Sequence, residues 1–100
     1  KAFVLKMVNL FIRQAPADVT EIERAFEDQD YTTLRAVAHR MKPSLDNMSI
    51  HPLHTLLREI ELFQESHSTR EELASKIRVV RTTIDQVVNL LQQNVTEVAG

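Results

Sequence analysis

The chain has 100 residues with 43% hydrophobic content, enough for one compact domain around one core. Its only glycine is Gly100, which argues against β-hairpins and excludes the phosphate-cradling loops of nucleotide-binding folds. Without cysteine there is no disulfide or thiol chemistry, and a net charge of −2 gives no support for nucleic-acid binding.

The first helical stretch runs from Ala2 to about Gln14, with Phe3, Val4, Met7, Val8 and Phe11 as its apolar stripe. Ala15-Pro16-Ala17 is expected to interrupt it, because proline disfavours helical geometry in the residue before it. Asp18-Val19-Thr20-Glu21 then reads as a variant capping box opening a second helix, whose inward face is Val19, Ile22, Ala25 and Phe26. That helix fades in Glu27-Asp28-Gln29-Asp30, and Asp30 is the expected N-cap of a third, Tyr31 to about Met48.

In the third helix Leu34, Val37, Ala38, Met41, Leu45 and Met48 recur at the three-and-four spacing of one buried face. At about 100° per residue, the centre of this stripe lies roughly 150° around the helix from His39. His39 is therefore expected in water. Thr32, Arg35, Pro43 and Asp46 fall within roughly 40° of it and Lys42 at about 60°. Pro43 lacks the amide that would bond the His39 carbonyl, so a modest kink is expected there.

Ser49-Ile50-His51-Pro52 is a turn, with Pro52 suited to the first position of the next helix. Leu53, Leu56, Leu57, Ile60 and Phe63 mark that helix to about Gln64. Ser66-His67-Ser68-Thr69 breaks the pattern, and either Ser68 with Glu71 or Thr69 with Glu72 can form the next capping box. Leu73, Ile77, Val80, Ile84, Val87, Leu91 and Val95 then give one long, regular seam. The expected fold is all-α: an antiparallel four-helix bundle with an additional short N-terminal helix, formed by residues 1–100 as one domain. Because the sequence opens inside a helical pattern, it is expected to be part of a longer protein.

The residues around His39 carry the chemistry. Ala38, His39, Met41, Lys42, Ser44 and, after a short gap, Met48 resemble the signature of histidine-containing phosphotransfer (HPt) domains, Ala-His-x-Leu-Lys-Gly-Ser followed by an apolar residue and glycine. Two positions depart from it, since Pro43 and Ser49 stand where that family has glycine. The order of helices is also similar along nearly the whole chain.

The resemblance implies a phosphorelay carrier without kinase activity of its own. A receiver domain's phospho-aspartate would donate to His39, at Nε2 in the family, and a second receiver would take the group onward. Free imidazole titrates near ~6.5, so a neutral nucleophilic nitrogen suits this role. Lys42, one turn from the ring, would offset charge on the phosphoryl oxygens. Arg35, Pro43 and Asp46 would contact the partner, although by themselves Arg35 and Asp46 read as ordinary solvated surface. No cofactor is implied, since Mg²⁺ would belong to the receiver. The implied setting is a monomeric domain in the cytoplasm, free-standing or as the cytoplasmic part of a membrane-bound hybrid kinase.

Two other readings compete. The dimerisation and phosphoacceptor domain of histidine kinases also places proline shortly after its histidine. Its motif, however, has an acidic residue where this chain has Arg40, and its proline comes one position later. A helical adaptor without phosphoryl chemistry is the other. His51 and His54 have a spacing that could share a metal, but two ligands do not make a site, and His67 lies in an expected loop. Met7, Met41 and Met48 read as core fillers.

Overall fold

The computed structural model describes the backbone of residues 2–47 and 51–99 and the side chains of residues 5–46 and 52–93. It comprises α1 (Ala2–Glu27), α2 (Tyr31–Asn47), α3 (His51–Glu61) and α4 (Arg70–Ala99), with no strand among the described residues. Each helix packs against its neighbours in the chain, and α4 returns to α1, so the four close a ring around one core. The core draws on every helix, with Val19 and Ile22 from α1, Leu34 and Leu45 from α2, Leu53 and Leu57 from α3, and Leu73 and Ile84 from α4. At about 1.5 Å per residue, α1 and α4 are much longer than α2 and α3. They account for the elongated 51 × 20 × 18 Å shape.

The all-α bundle agrees with the sequence pattern, but the separate N-terminal helix does not form. α1 runs unbroken through Pro16 for 26 residues. A proline in a helix interior costs about 3 kcal/mol. Burying each large apolar side chain returns about 1.5–3 kcal/mol, and Val8, Phe11, Ala15, Val19 and Ile22 form one continuous buried stripe across the proline. Packing therefore outweighs the lost bond. The hydroxyl of Thr20 also donates to the Pro16 carbonyl at 3.0 Å. Asp18, the expected cap, instead sits mid-helix and is buried, with 5% of its surface exposed.

The remaining boundaries lie close to expectation. Asp30 caps α2 through its side chain, accepting from the Thr33 amide at 3.2 Å, and its carboxyl is held below its usual range by hydrogen bonds from Thr33. Thr69 caps α4, accepting from the Glu72 amide at 3.1 Å while its hydroxyl donates to the Glu72 carboxylate at 3.3 Å. Just beyond α1, Gln29 takes a left-handed conformation (φ 58°), which lets the Asp30 amide reach back to the Ala25 carbonyl at 2.8 Å.

α3 stops at Glu61, short of the expected Gln64, because Phe63 leaves the helix and packs its ring on Tyr31 at 5.1 Å between centroids. α2 continues through Pro43 to Asn47. The side chains of Phe3, Val4, Met48, Ser49, Ile50, His51 and Val95 lie outside the described residues.

Candidate functional site around His39

α2 presents its stripe of Leu34, Val37, Ala38, Met41 and Leu45 to the core, and this fixes the rotation of the helix. The same rotation turns His39 outward, with 69% of its side chain exposed. α3 lies alongside, and its last residue, Glu61, reaches back across the seam between the two helices. Glu61 Oε1 meets His39 Nδ1 at 2.5 Å, and Glu61 Oε2 meets Lys42 Nζ at 2.5 Å. Lys42 and Glu61 are half-buried in the seam, with 19% and 22% of their side chains exposed.

The carboxylate shared by Lys42 and His39 decides the state of the ring. The hydrogen bond from Lys42, with a further one from His39, holds the Glu61 carboxyl below its ordinary range against the opposing effect of burial. Glu61 is thus ionised at neutral pH and can only accept hydrogen bonds. The proton in the His39 contact accordingly sits on Nδ1, which donates to Oε1. In the neutral ring the lone pair is then on Nε2, the nitrogen away from Glu61.

Arg35 and Asp46, also expected near His39, are engaged in the same seam. Arg35 Nη1 donates to the Phe63 carbonyl at 3.3 Å and ties the chain beyond α3 to α2. His54 Nδ1 donates to Asp46 Oδ1 at 2.7 Å. From one end of α2 to the other, Arg35, His39 with Lys42, and Asp46 each meet a group on or just beyond α3. Pro43 is exposed.

On the opposite side of α2, Arg40 Nη2 donates to Asp18 Oδ1 at 2.7 Å and to Glu21 Oε1 at 2.9 Å. Gln14 donates to the same Asp18 oxygen at 2.9 Å. Both carboxylates reinforce the cationic form of Arg40, Asp18 the more strongly. His39 therefore stands on a helix clamped by polar contacts on both flanks.

Glu61 and Asp18 are the residues that sequence reasoning missed. Glu61 follows Ile60 of the buried stripe and so lies on its flank, a position that faces a neighbouring helix in a bundle. Asp18 lies within the apolar run of α1, where a buried carboxylate calls for a cation. Among the described residues no group of three or more His, Cys, Asp or Glu could hold a metal ion. Nor is any described helix long and apolar enough to cross a membrane.

A protein-family model described as the Hpt domain matches residues 6–96. No curated protein and no solved structure matches the chain.

Proposed function

Since the chain belongs to the Hpt domain family, the histidine phosphotransfer domains of two-component signalling, we propose that His39 is its phosphoacceptor in exchange with receiver domains. The observation that carries this reading is the imidazole itself. It is exposed on a rigid helix, its Nδ1 is engaged by Glu61, and a lysine shares that carboxylate.

In the forward step the Nε2 lone pair attacks the phosphorus of the receiver's aspartyl phosphate. The N–P bond forms as the P–O bond to the aspartate breaks, and that electron pair leaves on the receiver's carboxylate. The Nδ1 proton stays in its hydrogen bond, and Glu61 offsets the positive charge the ring acquires. Lys42 lies one turn away, where its ammonium can lean toward the phosphoryl oxygens as charge develops. In the return step the carboxylate of a second receiver attacks phosphorus, the N–P bond breaks, and neutral imidazole is restored.

Such a transition state is loose, so positioning and charge stabilisation dominate over covalent work by the carrier. The Mg²⁺ and the acidic pocket belong to the receiver, and the carrier acts as a cytoplasmic monomer. Because all four helices of the bundle come from one chain, the two-chain architecture of the kinase phosphoacceptor domain is not required.

His39→Gln tests the assignment. Phosphorylation by a phosphorylated receiver should disappear, while the helical fold is retained because the His39 side chain lies largely in solvent and outside the core. Phosphorylation retained in this variant, or label mapped to His51, His54 or His67, refutes the role of His39.

A further inference from the structure

The surface through which a partner reaches His39 is already partly occupied by the domain's own contacts. Four residues lie within one turn of His39 on its side of α2: Arg35, Ala36, Lys42 and Pro43. Arg35 is turned to the Phe63 carbonyl and Lys42 to Glu61. Farther round, Arg40 is drawn toward α1 by Asp18 and Glu21. On α2 the approach to Nε2 is thus bordered by two exposed apolar residues, Ala36 and Pro43. Alanine adds little relief. Pro43 stands about 6 Å farther along the helix axis and roughly 40° round from His39.

Proline differs from any other side chain that could stand there. Its ring is closed onto the backbone, so it cannot rotate away from an incoming surface as a long flexible chain can. Transfer needs phosphorus within about 3–3.5 Å of the attacking nitrogen, which brings the rim of the receiver's active site onto the surface around His39. A fixed ring there acts as a step that a partner's rim must clear.

We propose that Pro43 is a specificity-determining residue for phosphoryl exchange at His39. It admits receivers whose rim carries a small residue opposite the ring and rejects those with a bulky one. The proposal rests on the reading of His39 as phosphoacceptor and adds a restriction on its partners. Discrimination by a repulsive contact raises the barrier for the wrong partner without tightening the right one.

The test compares the native chain with Pro43→Ala, which removes the ring and restores the amide to the helix. Each is phosphorylated by a panel of purified receiver domains and, separately, by phosphoramidate, a small donor with no rim. For receivers that the native chain uses poorly, kcat/KM should rise by about tenfold or more in Pro43→Ala, the scale of a misplaced methylene or two in a contact. The gain should be smallest for the receiver that the native chain uses best and for phosphoramidate, which has no rim to clear. An unchanged spread across the panel overturns the specificity role, and so does an equal loss for every receiver. If phosphoramidate labels the native chain at a residue other than His39, the phosphoacceptor reading itself fails. Melting curves accompany both chains, and Pro43→Ser serves in the same comparison should Pro43→Ala fold poorly.

Discussion

Replacing Glu61 by glutamine keeps the shape of the side chain and removes the charge that His39 and Lys42 share. The carboxylate oxygen lies 2.5 Å from His39 Nδ1, and in the proposed transfer the ring becomes positively charged as Nε2 attacks phosphorus. With 69% of the His39 side chain exposed, the water value of the dielectric applies, and the interaction is worth about 1.7 kcal/mol, or about 15-fold in rate. An amide adds a second loss. If its NH₂ faces Nδ1, the ring moves its proton to Nε2, and the nucleophilic lone pair disappears from the exposed nitrogen. Glu61→Gln should therefore slow single-turnover phosphorylation by about 15-fold or more, and nitrogen NMR of the His39 ring should show a changed tautomer balance.

The pH dependence has a definite sign. The folded-state pKa of Glu61 is depressed, chiefly by the hydrogen bond from Lys42 and then by that from His39. Its contribution to stability is therefore fully present above the unfolded carboxylate pKa of ~4.3 and is lost as the pH falls through the lower folded value. The part of the stability gap between native chain and variant that comes from the Glu61 charge should close as the pH falls into the acid range. A transfer rate within about twofold of native at neutral pH would refute the positioning role of Glu61.

Two further outcomes follow from the same structure. Lys42→Ala should slow transfer and leave the fold intact, with a loss below the ~100-fold of an enclosed charge donor because this site is open to solvent; an unchanged rate at low salt would make Lys42 a structural partner of Glu61 only. Gln29→Gly should raise the melting temperature by several degrees, since a non-glycine residue in the left-handed region costs about 1–2 kcal/mol and part of that is offset by glycine's unfolded-state entropy; a lower melting temperature would show that the Gln29 side chain contributes more than its backbone costs.

The chain's local chemistry was legible in its sequence. Apolar spacing placed Leu34, Val37, Ala38, Met41 and Leu45 on one face of α2 and His39 opposite it, and the structure agrees. Asp30 and Thr69 announced the starts of α2 and α4 because a cap acts within three residues. Pro16 misled for a physical reason. A local rule priced one lost hydrogen bond, whereas the outcome depended on a stripe from Val8 to Ile22 meeting two other helices.

Glu61 was hidden for a related reason. It meets His39 from 22 residues away, and that pairing exists only once α3 has docked on α2 in one register. Arg35 and Asp46 each carried a charge whose partner lay on or just beyond the same neighbouring helix, so sequence alone left them as surface.

That seam also explains why one histidine and not its neighbour is suited to the chemistry. His39 and His54 both donate Nδ1–H to a carboxylate across the α2–α3 boundary, so both leave Nε2 as the other nitrogen. The difference is in what surrounds them. The carboxylate of Glu61 also holds Lys42, whereas Asp46 has no lysine or arginine among its described ion pairs. His39 exposes 69% of its side chain and His54 35%. A phosphoryl group on His54 would have to enter a half-covered position against Asp46, a carboxylate with no described lysine partner. On His39 it would meet Lys42 one turn away, on a helix held from both sides. Among the histidines whose side chains are described, His39 alone is anchored by a carboxylate that also holds a lysine and exposes most of its side chain, which supports its proposed role as phosphoacceptor.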